Sequence, residues 1–104
     1  MIKTDLPQAK LYLEQASMIN PNSPSIMDTR GLILLEEGDY RGALTQFRSA
    51  FTLDSKQPAI QYHIALALHK LNRNSEAKMQ LQNVLSAFGD FPQKAQATKL
   101  FNQL

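Results

Sequence analysis

The chain has 104 residues, 43% of them hydrophobic and 19% charged, with no cysteine and eleven basic against nine acidic side chains for a formal charge of +2. That length supports one domain burying roughly two-thirds of its unfolded surface, and the missing cysteines exclude disulfides and thiolate metal sites. No two basic residues are adjacent, so the clustered patch that a nucleic acid or an anionic membrane requires is absent, and the apolar runs 32–35 and 64–68 are far too short to span a membrane.

Six helices are predicted in chain order. Asp5-Leu6-Pro7-Gln8 sets a capping aspartate three residues before a glutamine, with proline in the first turn, and opens a helix to about Ile19 that Asn20-Pro21-Asn22 stops. Ser23 and Pro24 read as the N-cap and first residue of a helix reaching Glu37. Gly38 then supplies a left-handed C-terminal residue, and Asp39 caps a third helix from Tyr40 to about Leu53. Gln57-Pro58 starts a fourth helix to about Leu71, Asn72-Arg73-Asn74 turns the chain, and a fifth runs from Ser75 to Phe88, ended by Gly89. Asp90-Phe91-Pro92-Gln93 repeats the opening capping pattern and launches a short sixth helix. Its Ala97, Leu100, Phe101 and Leu104 form a single apolar stripe, which suits a terminal cap on a stack of helices. No segment reads as a strand.

These helices repeat. Ala9, Ala43 and Ala77 are 34 residues apart, as are Leu13, Phe47 and Leu81, and again Ala16, Ala50 and Val84. A fixed period of that length signals stacked helical hairpins, which build an extended concave surface rather than a closed pocket. With position 1 at Pro24, the pattern Met27, Gly31, Leu34, Ala43, Phe47 and Ala50 resembles the tetratricopeptide repeat (TPR). With position 1 at Pro58, Ile64, Ala65, Leu68, Ala77, Leu81 and Val84 do the same, and Ala9, Leu13, Ala16 and Pro21 match the second half of a preceding repeat. Three positions depart from the family. Arg30 stands where a buried leucine is usual and is expected to reach solvent or a carboxylate, Gln61 replaces a large residue, and Ser55 and Gly89 replace the closing prolines.

The resemblance implies an all-α fold: an α-solenoid of antiparallel hairpins, about two full repeats (24–57 and 58–91), with a leading half repeat (5–22) and a C-terminal capping helix (92–104). Residues 60–68 and 75–77, with the Phe91-Pro92 helix, further resemble the last repeat of bacterial TPR lipoproteins associated with exopolysaccharide export and PEP-CTERM sorting. A solenoid that opens mid-hairpin implies a C-terminal piece of a longer protein, with self-association through its exposed N-terminal edge.

In this family the first helix of each hairpin lines the groove. Carried over, that places Asp28, Leu32 and Leu35 on one stripe and Tyr62, Leu66 and His69 on its neighbour, with His63 beside them. Aromatic and aliphatic anchors among a few polar groups suit a peptide or helix; alternatively, the leucines simply pack against a further helix. His63 and His69 are six apart, not the four that a helical metal pair needs, and neither has a carboxylate at helical spacing. Glu36 and Glu37 read as solvated charge. Thr29 and His63 occupy the position where the chaperone-binding carboxylate clamp has asparagine, so that clamp is absent. The sequence thus reads as a non-enzymatic module, without cofactor or metal, that holds a protein or peptide partner in its groove. The competing reading is a structural cap on a longer solenoid whose binding site lies upstream.

Overall fold

The computed structural model describes residues 6–19 and 22–104. They form α1 (Leu6–Ile19), α2 (Pro24–Glu36), α3 (Tyr40–Leu53), α4 (Pro58–Lys70), α5 (Asn74–Ala87) and α6 (Lys94–Gln103), with no strand among the described residues. The Asp5 cap and the Asn20-Pro21 stop lie outside the described residues, as does the Ala9 side chain.

Local chemistry sets most boundaries. Ser23 Oγ accepts from Ile26 N at 3.4 Å with Pro24 as the first helical residue, and Asp39 Oδ1 accepts from Gly42 N at 3.0 Å. The two hairpin turns are built alike. Gly38 (φ 88°) follows α2 and Asn72 (φ 61°) follows α4, each at the left-handed position that ends a helix. In the first turn Asp39 N donates to Leu34 O and Gly38 N to Leu35 O; in the second Arg73 N donates to Leu68 O and Asn72 N to His69 O. Both are Schellman motifs, satisfying carbonyls that the helix leaves unpaired. α5 therefore starts at Asn74, one residue earlier than predicted, with Arg73 at the N-cap and no side-chain cap.

The start of α6 corrects the sequence reading. Its N-cap is Gln93, without a side-chain cap bond, and not Asp90. Phe91 is buried at 8% exposure and meets Phe88 edge-on with ring centroids 6.3 Å apart. Seating that aromatic under the last helix outweighs a surface cap worth about 1 kcal/mol.

The fold is an all-α solenoid of antiparallel hairpins. α2 pairs with α3 and α4 with α5; α3 stacks on α4, and α1 and α6 cover the two flanks. Ala43, Phe47, Ala65, Leu68, Ala77, Leu81 and Val84 are completely buried in one cluster that Phe91, Ala97 and Leu100 extend beneath α6. Small residues stand where helices approach closely. A Cβ placed on Gly31 would lie 2.4 Å from Phe47 Cε1, so only glycine lets the ring lie against α2. Gln61, the one buried polar side chain among the described residues, donates through Nε2 to Gln80 Oε1 at 3.2 Å, tying α4 to α5.

The flanks differ. α6 presents Ala97 and Leu100 inward, and Lys78 Nζ sits 5.2 Å from the Phe101 ring centroid, a cation–π contact. α1 buries Leu13 but leaves Leu11, Tyr12, Met18 and Ile19 exposed. Polar ties hold it: Lys10 to Glu37 at 2.7 Å, and Arg30 donating to Ser17 Oγ at 2.7 Å with Glu14 at 3.8 Å. Arg30 thus meets the expectation of a carboxylate or solvent, being 31% exposed.

Candidate interaction surface

α2 and α4, the first helices of the two hairpins, touch each other and bring the sequence-derived residues onto one surface. Leu32 is exposed on α2. Leu35, Tyr62 and Leu66 are half-buried, with one side against the core cluster and the other open. Burial pushes the Tyr62 phenol above its ordinary value, so it stays a neutral donor at physiological pH. His69, near the C-terminal end of α4, bonds through Nδ1 to Asn74 Oδ1 at 3.0 Å and so belongs to the α4–α5 turn as much as to the open surface.

The centre of the surface is a pair that sequence spacing does not reveal. His63 Nδ1–H donates to Asp28 Oδ1 at 2.8 Å, across the junction of the two hairpins. The side chains are only 12% and 16% exposed. The imidazole also lies between two aromatic rings, with centroids 5.3 Å from Phe47 and 5.8 Å from Tyr62. Reading each helix alone finds no carboxylate near His63, because Asp28 is 35 residues away. The signal was the period itself: adjacent positions of successive repeats face each other once their first helices align.

The pair is a fixed polar contact between the two helices. The carboxylate places the proton on Nδ1 and fixes the ring. A catalytic triad would add a nucleophile bonded to Nε2, and Nε2 makes no hydrogen bond among the described residues. Nor do three or more His, Asp or Glu side chains cluster as a metal site among them. No helix of the described residues is long and apolar enough to cross a membrane. The surface therefore carries the bonded Asp28–His63 pair with Tyr62 beside it, and Leu32, Leu35 and Leu66 on the same two helices. Two concavities lie elsewhere: one beside α1, about 290 Å³, lined by Leu13, Arg30, Ile33 and Leu34 among others, and a larger one on α3.

Residues 31–72 match a family model described as TPR repeat, a span running from Gly31 through the turn after α4. Over 88 residues the chain is 27% identical to intraflagellar transport protein 70A2 of Mus musculus, and to the same degree to its counterpart in Rattus norvegicus. Those alignments cover 78% of this chain but 13% of each relative, so the chain spans about an eighth of their length. TPR repeats mediate protein–protein interaction as non-enzymatic scaffolds, and the helix order and hairpin packing here are of that kind.

Proposed function

We propose that this chain is a protein-binding module that holds a partner segment against α2 and α4, with Leu32, Leu35, Tyr62, Leu66 and His69 as the contact residues. The Asp28–His63 pair joins the two helices. The observation that carries the reading is this fixed pair. It ties the first helices of two hairpins together, so little ordering cost falls on the module when a partner binds. The groove performs no reaction in this reading and takes no cofactor.

A second reading is favoured by α6, which covers the end of the α4–α5 hairpin with Ala97 and Leu100 buried: the segment terminates a longer solenoid whose reader lies upstream. The narrower likeness to bacterial exopolysaccharide-export lipoproteins belongs with that second reading, and it rests on residues 60–68, 75–77 and the Phe91-Pro92 helix. The relatives' name, intraflagellar transport, points instead to a part in transport.

The test compares capture from lysate by the parent and by Tyr62→Ala/Leu66→Glu, with circular dichroism confirming that the variant remains helical. Loss of the same captured protein from the variant supports the groove. Retention by both moves binding off α2 and α4, and no capture by either favours the cap.

A further inference from the structure

The larger concavity is on the second helix of the first hairpin and shares no residue with the α2/α4 surface. It measures about 390 Å³ and is lined by Arg41, Leu44, Thr45, Arg48, Leu71 and Arg73. Arg41 and Arg48 stand on one stripe of α3, two turns or about 10 Å apart along the axis. Neither guanidinium makes a salt bridge or a side-chain hydrogen bond among the described residues, although Arg48 lies near enough to Glu76 to help hold its carboxyl down. Arg73 arrives from the α4–α5 turn and grips Glu76 with two bonds of 2.6 and 2.8 Å. Three arginines thus line one concavity, with only Arg73 bonded to a carboxylate, beside Leu44 and Leu71, which belong to or pack on the core.

Arg73 is out of place by helix chemistry. Its backbone (φ −96°, ψ 63°) is close to that of Asp39 (φ −86°, ψ 76°), its equivalent one repeat earlier. Asp39 caps α3 from that position, and Arg73 leaves α5 without a side-chain cap. Nor is the pocket a product of the repeat: Ser75 and Gln82 stand 34 residues after Arg41 and Arg48.

We propose that this pocket binds an acidic peptide segment of a partner protein, with carboxylates on Arg41 and Arg48 and an apolar side chain between them on Leu44 and Leu71. Guanidinium forks match carboxylates bidentately. Acidic residues three apart on a polyproline-II segment lie on one side and are separated by about 9 Å, close to the spacing of the two arginines along α3. A free oxyanion would not span that distance or use the two leucines.

The probe is a fluorescein-labelled hexapeptide with glutamate at its second and fifth positions and leucine at its third, titrated by fluorescence anisotropy at low ionic strength. Saturable binding is expected for the parent, weakening with added salt. Arg41→Gln/Arg48→Gln loses tenfold or more in affinity while keeping the parent's circular dichroism, since both side chains are exposed. The twin peptide with glutamines does not bind, and Lys56→Gln/Lys99→Gln, which removes the same charge elsewhere, stays within twofold of the parent. Methyl resonances of Leu44 and Leu71 shift on titration. The proposal is overturned by equal affinity in parent and arginine variant, by no saturable binding below millimolar peptide, or by inorganic phosphate or phosphatidylserine vesicles displacing the peptide at matched charge concentration.

Discussion

The hairpin α2–α3 closes on Gly31 and Phe47, whereas α4–α5 places Ala65 and Leu81 at the same two points of the 34-residue period. All four are buried, so the pairs answer the same demand with different volumes: the bulkier ring takes the residue without a Cβ, and leucine takes alanine. The turns differ in the same way. Gly38 and Asp39 end one helix and cap the next, while Asn72 ends its helix and Arg73 does not cap. What a repeat conserves in this chain is therefore the sum of two side chains across an interface, and each hairpin divides that sum differently.

The sharpest break of the comparison is Phe47→Ala. The ring is completely buried, touches α2 through Gly31 and stacks beside His63, so its loss opens a cavity at the junction of both hairpins. A destabilisation of about 3–5 kcal/mol is expected by urea unfolding, against about 2–5 kcal/mol for Leu81→Ala, which lacks the contact with the first helix of the next hairpin. Equal losses would mean that the aromatic junction adds nothing beyond its area.

Next in size is Gly31→Ala. Helix propensity favours alanine by about 1 kcal/mol, but the new methyl meets a ring carbon at 2.4 Å in a space with no give. Overpacking of that sort costs about 1–3 kcal/mol, so the net change is destabilising. Combining it with Phe47→Leu converts the first hairpin's pair into the second's, and the double variant is expected to be more stable than either single change would suggest by addition. Additive losses in that cycle would show that the two pairs are not equivalent solutions.

The 34-residue period, the small positions and the starts of α2, α3, α4 and α5 were legible in the sequence to within a residue, because each rests on local chemistry: a cap, a proline, a glycine, an apolar stripe. The sixth start was not, since burial of Phe91 decided it, and burial is a property of the assembled stack. The surface was legible in part. Asp28 and His63 were both assigned to the groove from the family pattern, yet their bond joins residues from different repeats and shows no signature within either helix. The arginine pocket was missed for a related reason: Arg41 and Arg48 share a stripe, but Arg73 joins them only once the Asn72 turn folds back.

A third test concerns the turns. Arg73→Ser creates a serine-x-x-glutamate capping box with Glu76 at the start of α5, an arrangement that α3 approaches through Asp39. A gain of about 1 kcal/mol is expected from the cap. The same variant has an acid signature. The Arg73 guanidinium holds the Glu76 carboxyl below its ordinary 4.5. Its stabilising contribution is therefore present above that value and lost as pH falls through the lower folded value. Removing Arg73 removes the guanidinium's part of this loss, so the stability of the variant should fall less steeply than the parent's on acidification. A variant that loses stability at neutral pH would mean that the Arg73–Glu76 bonds outweigh the missing cap.

The smallest effect is expected at Arg30, whose equivalent one repeat later is the buried Ile64. Here the two hairpins differ most in chemistry and least in energy. The guanidinium is 31% exposed and pairs with an exposed Glu14 at 3.8 Å, a geometry worth little in water; its bond to Ser17 is the better contact. Arg30→Leu trades those ties for apolar contact in the concavity with Leu13, Ile33 and Leu34, and the two changes should cancel to within about 0.5 kcal/mol. Hydrogen exchange gives the finer readout. If Arg30 chiefly orients α1 on α2, amides of α1 will exchange faster in the variant while those of α3 and α4 do not change. Uniform exchange across all helices would mean that α1 is held by Leu13 and by the Lys10–Glu37 pair, and that the charge at position 30 is tolerated because this flank is wet enough to admit it.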